Sequence, residues 1–191
     1  MLRHSVLPIL RRFARARRGA TAVEFGLVAI PFISLLAAIM ETAIAFFAGQ
    51  LLDAAVTDTA RAVYTGSFQS QATQSGALTP SQALDAFRTK LCANRVTIFD
   101  CSTVKVDIRT LEDTDSFGAL KPVDSTTKTW TPGFGSHYGD TVGTPPGPGK
   151  IVLVQAAVPF PIFFSMINPA TFGTNQRILQ STVAFRTEPY K

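Results

Sequence analysis

The chain has 191 residues, 46% of them hydrophobic and 16% charged, with a formal net charge of +5, enough for one domain of ordinary size together with an anchor. That charge is concentrated at one end: residues 1–19 hold Arg3, Arg11, Arg12, Arg15, Arg17 and Arg18 and no acid, and the remainder carries 12 basic against 13 acidic residues, a balance of −1. A body so close to neutral lacks the basic stripe with which a nucleic-acid-binding module neutralises phosphates.

The arginine leader ends at Gly19, and an apolar run follows. From Phe25 to Ala48 the only polar interruptions in 24 residues are Ser34, Glu41 and Thr42. At ~1.5 Å per residue the run makes roughly 36 Å of helix, enough to cross a hydrocarbon core of about 30 Å. Residues 25–40 alone fall short, so a span includes Glu41 and places it toward the outer interface, where a carboxyl group costs less than at mid-depth. Pro31 is tolerated in a membrane helix, with a kink. Six arginines precede the span, and the next basic residue after it is Arg61. The positive-inside rule therefore sets the N-terminus in the cytoplasm and the body outside. Two competing readings use the same residues. Ala43-Ile44-Ala45 has the form of a signal-peptide cleavage site, although the apolar region is longer than a usual signal core and contains Glu41. Residues 1–18 have the composition of a mitochondrial presequence.

The helix need not stop at the membrane. Leu51, Leu52, Ala55, Val56, Thr59, Ala62 and Val63 keep one apolar face at helical spacing, which predicts a single helix to about Thr65, ended by Gly66. Residues 66–79, rich in Gly, Ser, Gln and Thr, read as a polar loop. Thr79-Pro80-Ser81-Gln82 then starts a second helix with an N-cap, a first-turn proline and a capping box. Leu84, Phe87 and Leu91 form its buried stripe, and Cys92 closes it.

Val104, Val106 and Ile108 alternate with Lys105, Asp107 and Arg109, the pattern of a half-buried strand. Cys92 and Cys101 are the only two cysteines. Outside the cytoplasm they can form a disulfide worth about 2.5–3 kcal/mol by loop closure; the alternative is two free core thiols. Residues 131–149 hold six glycines and four prolines, which reads as a surface loop or hairpin insertion, with Trp130, Phe134 and Tyr138 as a possible contact surface. A strand resumes at Lys150–Val158. Pro159-Phe160-Pro161-Ile162-Phe163-Phe164 continues it into an apolar loop that packs on the helix or on the membrane surface. With two prolines in a run of only 17 residues, shorter than the usual ~20, this stretch is a poor second crossing. The last strand runs from Arg177 to Thr187. Three strands and two helices predict an α+β body with a mainly antiparallel sheet. The expected organisation is a leader over 1–19, a transmembrane and extended helix over 20–65, and a periplasmic head over 66–191.

No catalytic constellation emerges. His4 lies in the leader, His137 has no recognisable nucleophile motif beside it, and two cysteines with one distant histidine are too few for a metal site. No cofactor, metal or enzymatic activity is expected.

The segment Arg18-Gly19-Ala20-Thr21-Ala22-Val23-Glu24-Phe25-Gly26-Leu27-Val28 resembles the start of TadE-like proteins, pseudopilins of the bacterial tight-adherence (Flp pilus) system. Ala38-Ile39-Met40-Glu41, the paired cysteines and the ending Phe185-Arg186-Thr187-Glu188-Pro189-Tyr190 are similar too. Where the family's motif usually has tyrosine after the glutamate, this chain has Phe25. The resemblance implies cleavage between Gly19 and Ala20 by a prepilin peptidase at the cytoplasmic face of the inner membrane. The implied partners are other pilins or pseudopilins and the Tad secretion machinery. Glycine lets the backbone lie extended in a protease cleft, and the arginines hold it at the anionic leaflet. Cutting would expose an ammonium group on Ala20, which Glu24 is placed to neutralise in its own subunit or a neighbouring one; the plainer reading of Glu24 is a favourable acid in a first helical turn. Phe25 and Glu41 complete the set of expected assembly residues. An uncleaved, signal-anchored periplasmic binding or scaffolding module is the alternative from another class.

Overall fold

The computed structural model describes residues 19–74, 78–93, 97–111, 121–139, 144–164 and 169–189. The arginine leader, residues 140–143 of the Gly/Pro segment, and Tyr190 lie outside these. The chain forms two compact units, residues 1–41 and 42–191. The first helix, α1, runs Ala20–Tyr64 and contributes to both.

In the N-terminal unit α1 is helical through Pro31. Its large side chains face outward, among them Phe25, Leu27, Ile30, Phe32 and Leu36. Such a surface is unfavourable in water and favourable in lipid. The Ser34 hydroxyl donates to the Ile30 carbonyl at 2.8 Å, which pairs it within the helix as an apolar medium requires. Among the described residues α1 is the one helix long and apolar enough to cross a membrane, with a peak mean hydropathy of 2.2.

The C-terminal unit is α+β. Its main sheet has the order β4-β1-β5-β6, built from β1 (Lys105–Leu111), β4 (Tyr138–Gly139), β5 (Ile151–Pro161) and β6 (Gln176–Arg186). β5 pairs antiparallel with both long neighbours, with Ile108 opposite Val154 and Val154 opposite Val183. The short β4 pairs parallel with β1 at the edge. A separate hairpin joins β2 (Val123–Asp124) to β3 (Thr129–Trp130). The sheet thus exceeds the three strands expected, because two-residue strands carry no period for a sequence to display.

One face of the sheet packs on helices. Ala45, Ala48, Leu52, Ala55, Val56, Ala60 and Val63 of α1 are buried at helical spacing with Val106, Ile108, Val152, Val154, Ala156 and Val158 of the sheet. Three ties fix the register of β6 along α1. Ser181 Oγ donates to Asp53 Oδ1 at 2.7 Å, the Tyr64 and Phe185 rings meet edge-on at 5.9 Å, and the Glu188 N–H donates to the Tyr64 carbonyl. β6 therefore runs in the same direction as this part of α1.

The helix ends where expected, with Gly66 at φ 74. The polar loop expected over 66–79 is instead partly a helix, α2 (Ser67–Gln74). Phe68, the one large apolar residue there, is buried edge-on against Phe87 and Tyr138, and Gln69 Nε2 donates to the Val63 carbonyl. The next helix, α3 (Pro80–Cys92), has the full capping box between Thr79 and Gln82 and buries Ala83, Leu84, Phe87 and Leu91. Cys92, at its end, forms a disulfide with Cys101.

The prolines near the end of β5 follow from the sheet order. β1 stops pairing at Ala157, so Pro159 and Pro161 pair only with β6, and the missing N–H costs no ladder bond on the open side. This strand excludes a membrane crossing over residues 151–161.

Gly139 lies at φ 92, and a Cβ there would overlap the Thr144 carbonyl oxygen. Neither backbone can yield easily, so Gly139→Ala is expected to destabilise the chain by about 2–4 kcal/mol, read as a lower denaturation midpoint. An unchanged midpoint would show that the two segments part freely.

Candidate functional site

Gly19 and Ala20 are exposed and stand at the boundary of α1, which begins at Ala20. A Cβ on Gly19 would meet nothing within 4 Å. Glu24 is exposed, and as the fifth residue of α1 it lies one position beyond the first turn. Residues four apart share a helix face, and side chains lean toward the N-terminus. Glu24 therefore leans toward the Ala20 end of the helix, the end at which the helix dipole favours negative charge. Phe25, next to it, is 74% exposed. Glu41, expected at a depth toward the outer interface, is buried within the chain, with 6% of its surface exposed.

In the C-terminal unit the structure assembles a polar cluster that no spacing announced. Asp107 is fully buried. Its Oδ1 accepts the His137 N–H at 2.9 Å and the Gly135 N–H at 3.2 Å, and its Oδ2 accepts from Arg109 Nε at 2.6 Å. His137 Nδ1 lies 3.1 Å from Oδ1 and 3.0 Å from Arg109 Nη2. The sequence alternation put Asp107 on an exposed face; the correction follows from a second layer, residues 121–139, that covers that face. Both carboxylate oxygens are engaged by the loop and by Arg109, so the cluster fastens residues 133–139 to β1.

The aromatic residues of this layer are likewise structural rather than a contact surface. Phe134 and Tyr138 are buried. Trp130 stacks on Phe134 at 5.7 Å, meets Phe172 at 5.0 Å, and lies under Lys105 Nζ at 4.9 Å. The alternating glycines had suggested open loop, and the only available signal was aromatic residues at intervals of four.

Two acids have carboxyl pKa values below the usual range through local hydrogen bonds. For Asp124 the donors are the Thr126 and Thr127 N–H groups. For Asp100 they are the Ser102 hydroxyl and then its N–H, in the short 3-10 turn Cys101–Thr103. A groove of about 580 Å³ lies over β5 and β6, floored by Leu153 and Ile178 and rimmed by Lys121 and Thr171. Among the described residues no group of three or more His, Cys, Asp or Glu is placed to hold a metal ion.

Asp107→Asn keeps the shape but turns an N–H donor toward Arg109 Nε, so a loss of about 2–3 kcal/mol is expected, measured by denaturant unfolding. A change under about 0.5 kcal/mol, the size of an ordinary surface substitution, would contradict the fastening role.

No curated protein and no solved structure matches the chain. Residues 19–61, from the boundary glycine to near the end of α1, match the model of the TadE-like protein family, the one that the N-terminal motif resembles.

Proposed function

We propose that the chain is a membrane-anchored minor pilin or pseudopilin that takes part in assembling a Tad (Flp-type) pilus. The observation that carries this reading is a coincidence of boundaries: the TadE-like segment starts at Gly19, and α1 starts at Ala20. A peptidase would cut an exposed bond at the N-terminal boundary of the α-helix and leave that helix intact. The arginines hold the leader at the cytoplasmic face, α1 spans the inner membrane, and the C-terminal unit stands in the periplasm. After the cut, Ala20 carries an ammonium group one helical turn from the Glu24 carboxylate. In lipid a charge pair is far less costly than either charge alone. Glu24 therefore sets the register of a helix leaving the bilayer, whether it pairs with its own ammonium group or with that of a neighbouring pilin. Phe25 and the outward apolar side chains form the packing surface, Glu41 marks a second register position, and the prepilin peptidase and the Tad secretion machinery are the partners.

Mass spectrometry of the N-terminus from the native host is expected to find a mature chain starting at Ala20, and an intact Met1 would overturn processing. Gly19→Val meets no steric obstacle in the folded chain and is expected to block the cut while leaving membrane insertion unchanged; normal maturation of that variant would contradict the site. Glu24→Gln is expected to preserve insertion and reduce piliation, and wild-type piliation would remove the register role.

A further inference from the structure

We infer that the C-terminal unit touches the bilayer a second time, through the tip of the β5–β6 hairpin, with Phe163 and Phe164 in the headgroup–acyl boundary and Arg177 at phosphate level. The inference rests on α1 being a membrane anchor.

The first observation is where the tip lies. Arg177, Leu179 and Gln180, at the start of β6, line one groove with Thr42, Ala45, Phe46 and Gly49 of α1. The opposite end of β6 lies beside Tyr64. The tip is thus at the end of the unit where α1 enters it. The second observation is the level at which the surface of α1 changes character. Phe46 and Phe47 are large exposed apolar residues, and the next such residue along α1 is Tyr64; Gln50 and Asp53 begin the polar stretch. A bilayer boundary therefore falls near Phe47, at the level of the tip.

The third observation is the chemistry of the tip. Phe163 is 77% exposed and Phe164 40% exposed, immediately after the buried Ile162. Adjacent aromatic side chains facing outward at the hairpin end are costly in water and suited to the interface. Basic residues lie on the adjoining segments. Arg177 is the second residue of β6, the Lys128 carbonyl accepts the Gly173 N–H, and Lys121 lines a groove with Thr171. The carboxylates of the same segments are already engaged: Asp124 is held by its own turn, and Asp53 accepts from Ser181. The apolar tip, Arg177 and the bilayer boundary meet at one end of the unit, the combination with which an interfacial anchor binds an anionic surface. The occupant is the lipid leaflet through which α1 emerges.

The test uses the full chain in vesicles of phosphatidylglycerol and phosphatidylethanolamine. With Trp130→Phe as background, single indoles are introduced by Phe163→Trp and, in a separate chain, by Leu36→Trp. Lipids carry a nitroxide either near the headgroup or at the acyl terminus. At position 163 the expected result is blue-shifted emission quenched mainly by the shallow nitroxide; at position 36 it is quenching by lipid in the same vesicles. A water-exposed indole at 163 that escapes both nitroxides, while position 36 is quenched, overturns the docking and leaves the anchor standing. If both positions escape, the anchor fails and the docking with it. Arg177→Gln is expected to lower the docked-to-undocked ratio in these vesicles about fivefold. An unchanged ratio would overturn the role given to Arg177.

Discussion

The C-terminal unit depends on one apolar seam, in which Ala45, Ala48, Leu52, Ala55, Val56 and Val63 of α1 meet the even-numbered residues of β1 and β5. The alanines let the helix approach the sheet closely, and the branched side chains fill the space between strands. Leu52 and Val56 are fully buried, and removing either side chain from so dense a contact leaves a cavity that costs a few kcal/mol. The other elements either extend this seam or brace it. α3 adds Phe87 and Leu91 to the same core, Phe68 bridges from α2, and the Cys92–Cys101 disulfide joins the end of α3 to the approach of β1.

The opposite face of the sheet is handled by different physics. Lys105, Asp107 and Arg109 point there, as do Leu153 and Gln155, and a layer of turns rather than a helix covers them. Such a cover has few regular backbone bonds of its own, so side chains fasten it. Asp107 gathers two loop N–H groups, Trp130 stacks on Phe134 and meets Phe172 at an angle, and the Cβ-free Gly139 admits the Thr144 backbone. A buried carboxylate with a hydrogen-bonded arginine is economical only when its oxygens are occupied, and here they are.

The parts of the fold that repeat were legible from residues alone. The capping box at Thr79 and Gln82, the stripe of Leu84, Phe87 and Leu91, the end of α1 before Gly66, and the two long strands all announce themselves through local chemistry or a period sustained over several residues. What was not legible has no period. α2 is a polar helix with one large apolar residue, Phe68, and β2, β3 and β4 are two residues each. Asp107 reads as solvent-facing unless the covering layer is known, and that layer lies many residues later in the chain. In the N-terminal unit the motif around Gly19 and Glu24 was visible as a pattern, whereas the burial of Glu41 was not, because a lone acid in an apolar run has the same spacing whether it faces out or in.

The shared direction of β6 and α1 has a mechanical consequence. A load applied along this stretch of helix does not peel contacts apart one after another. It slides the helix across the sheet, so the Asp53–Ser181 bond, the Tyr64–Phe185 ring contact, the Glu188–Tyr64 bond and the whole alanine–valine seam bear it at the same moment. Shear of this kind resists force far better than unzipping of the same contacts. A unit built this way passes tension from its helix into its sheet without first giving up its weakest bond.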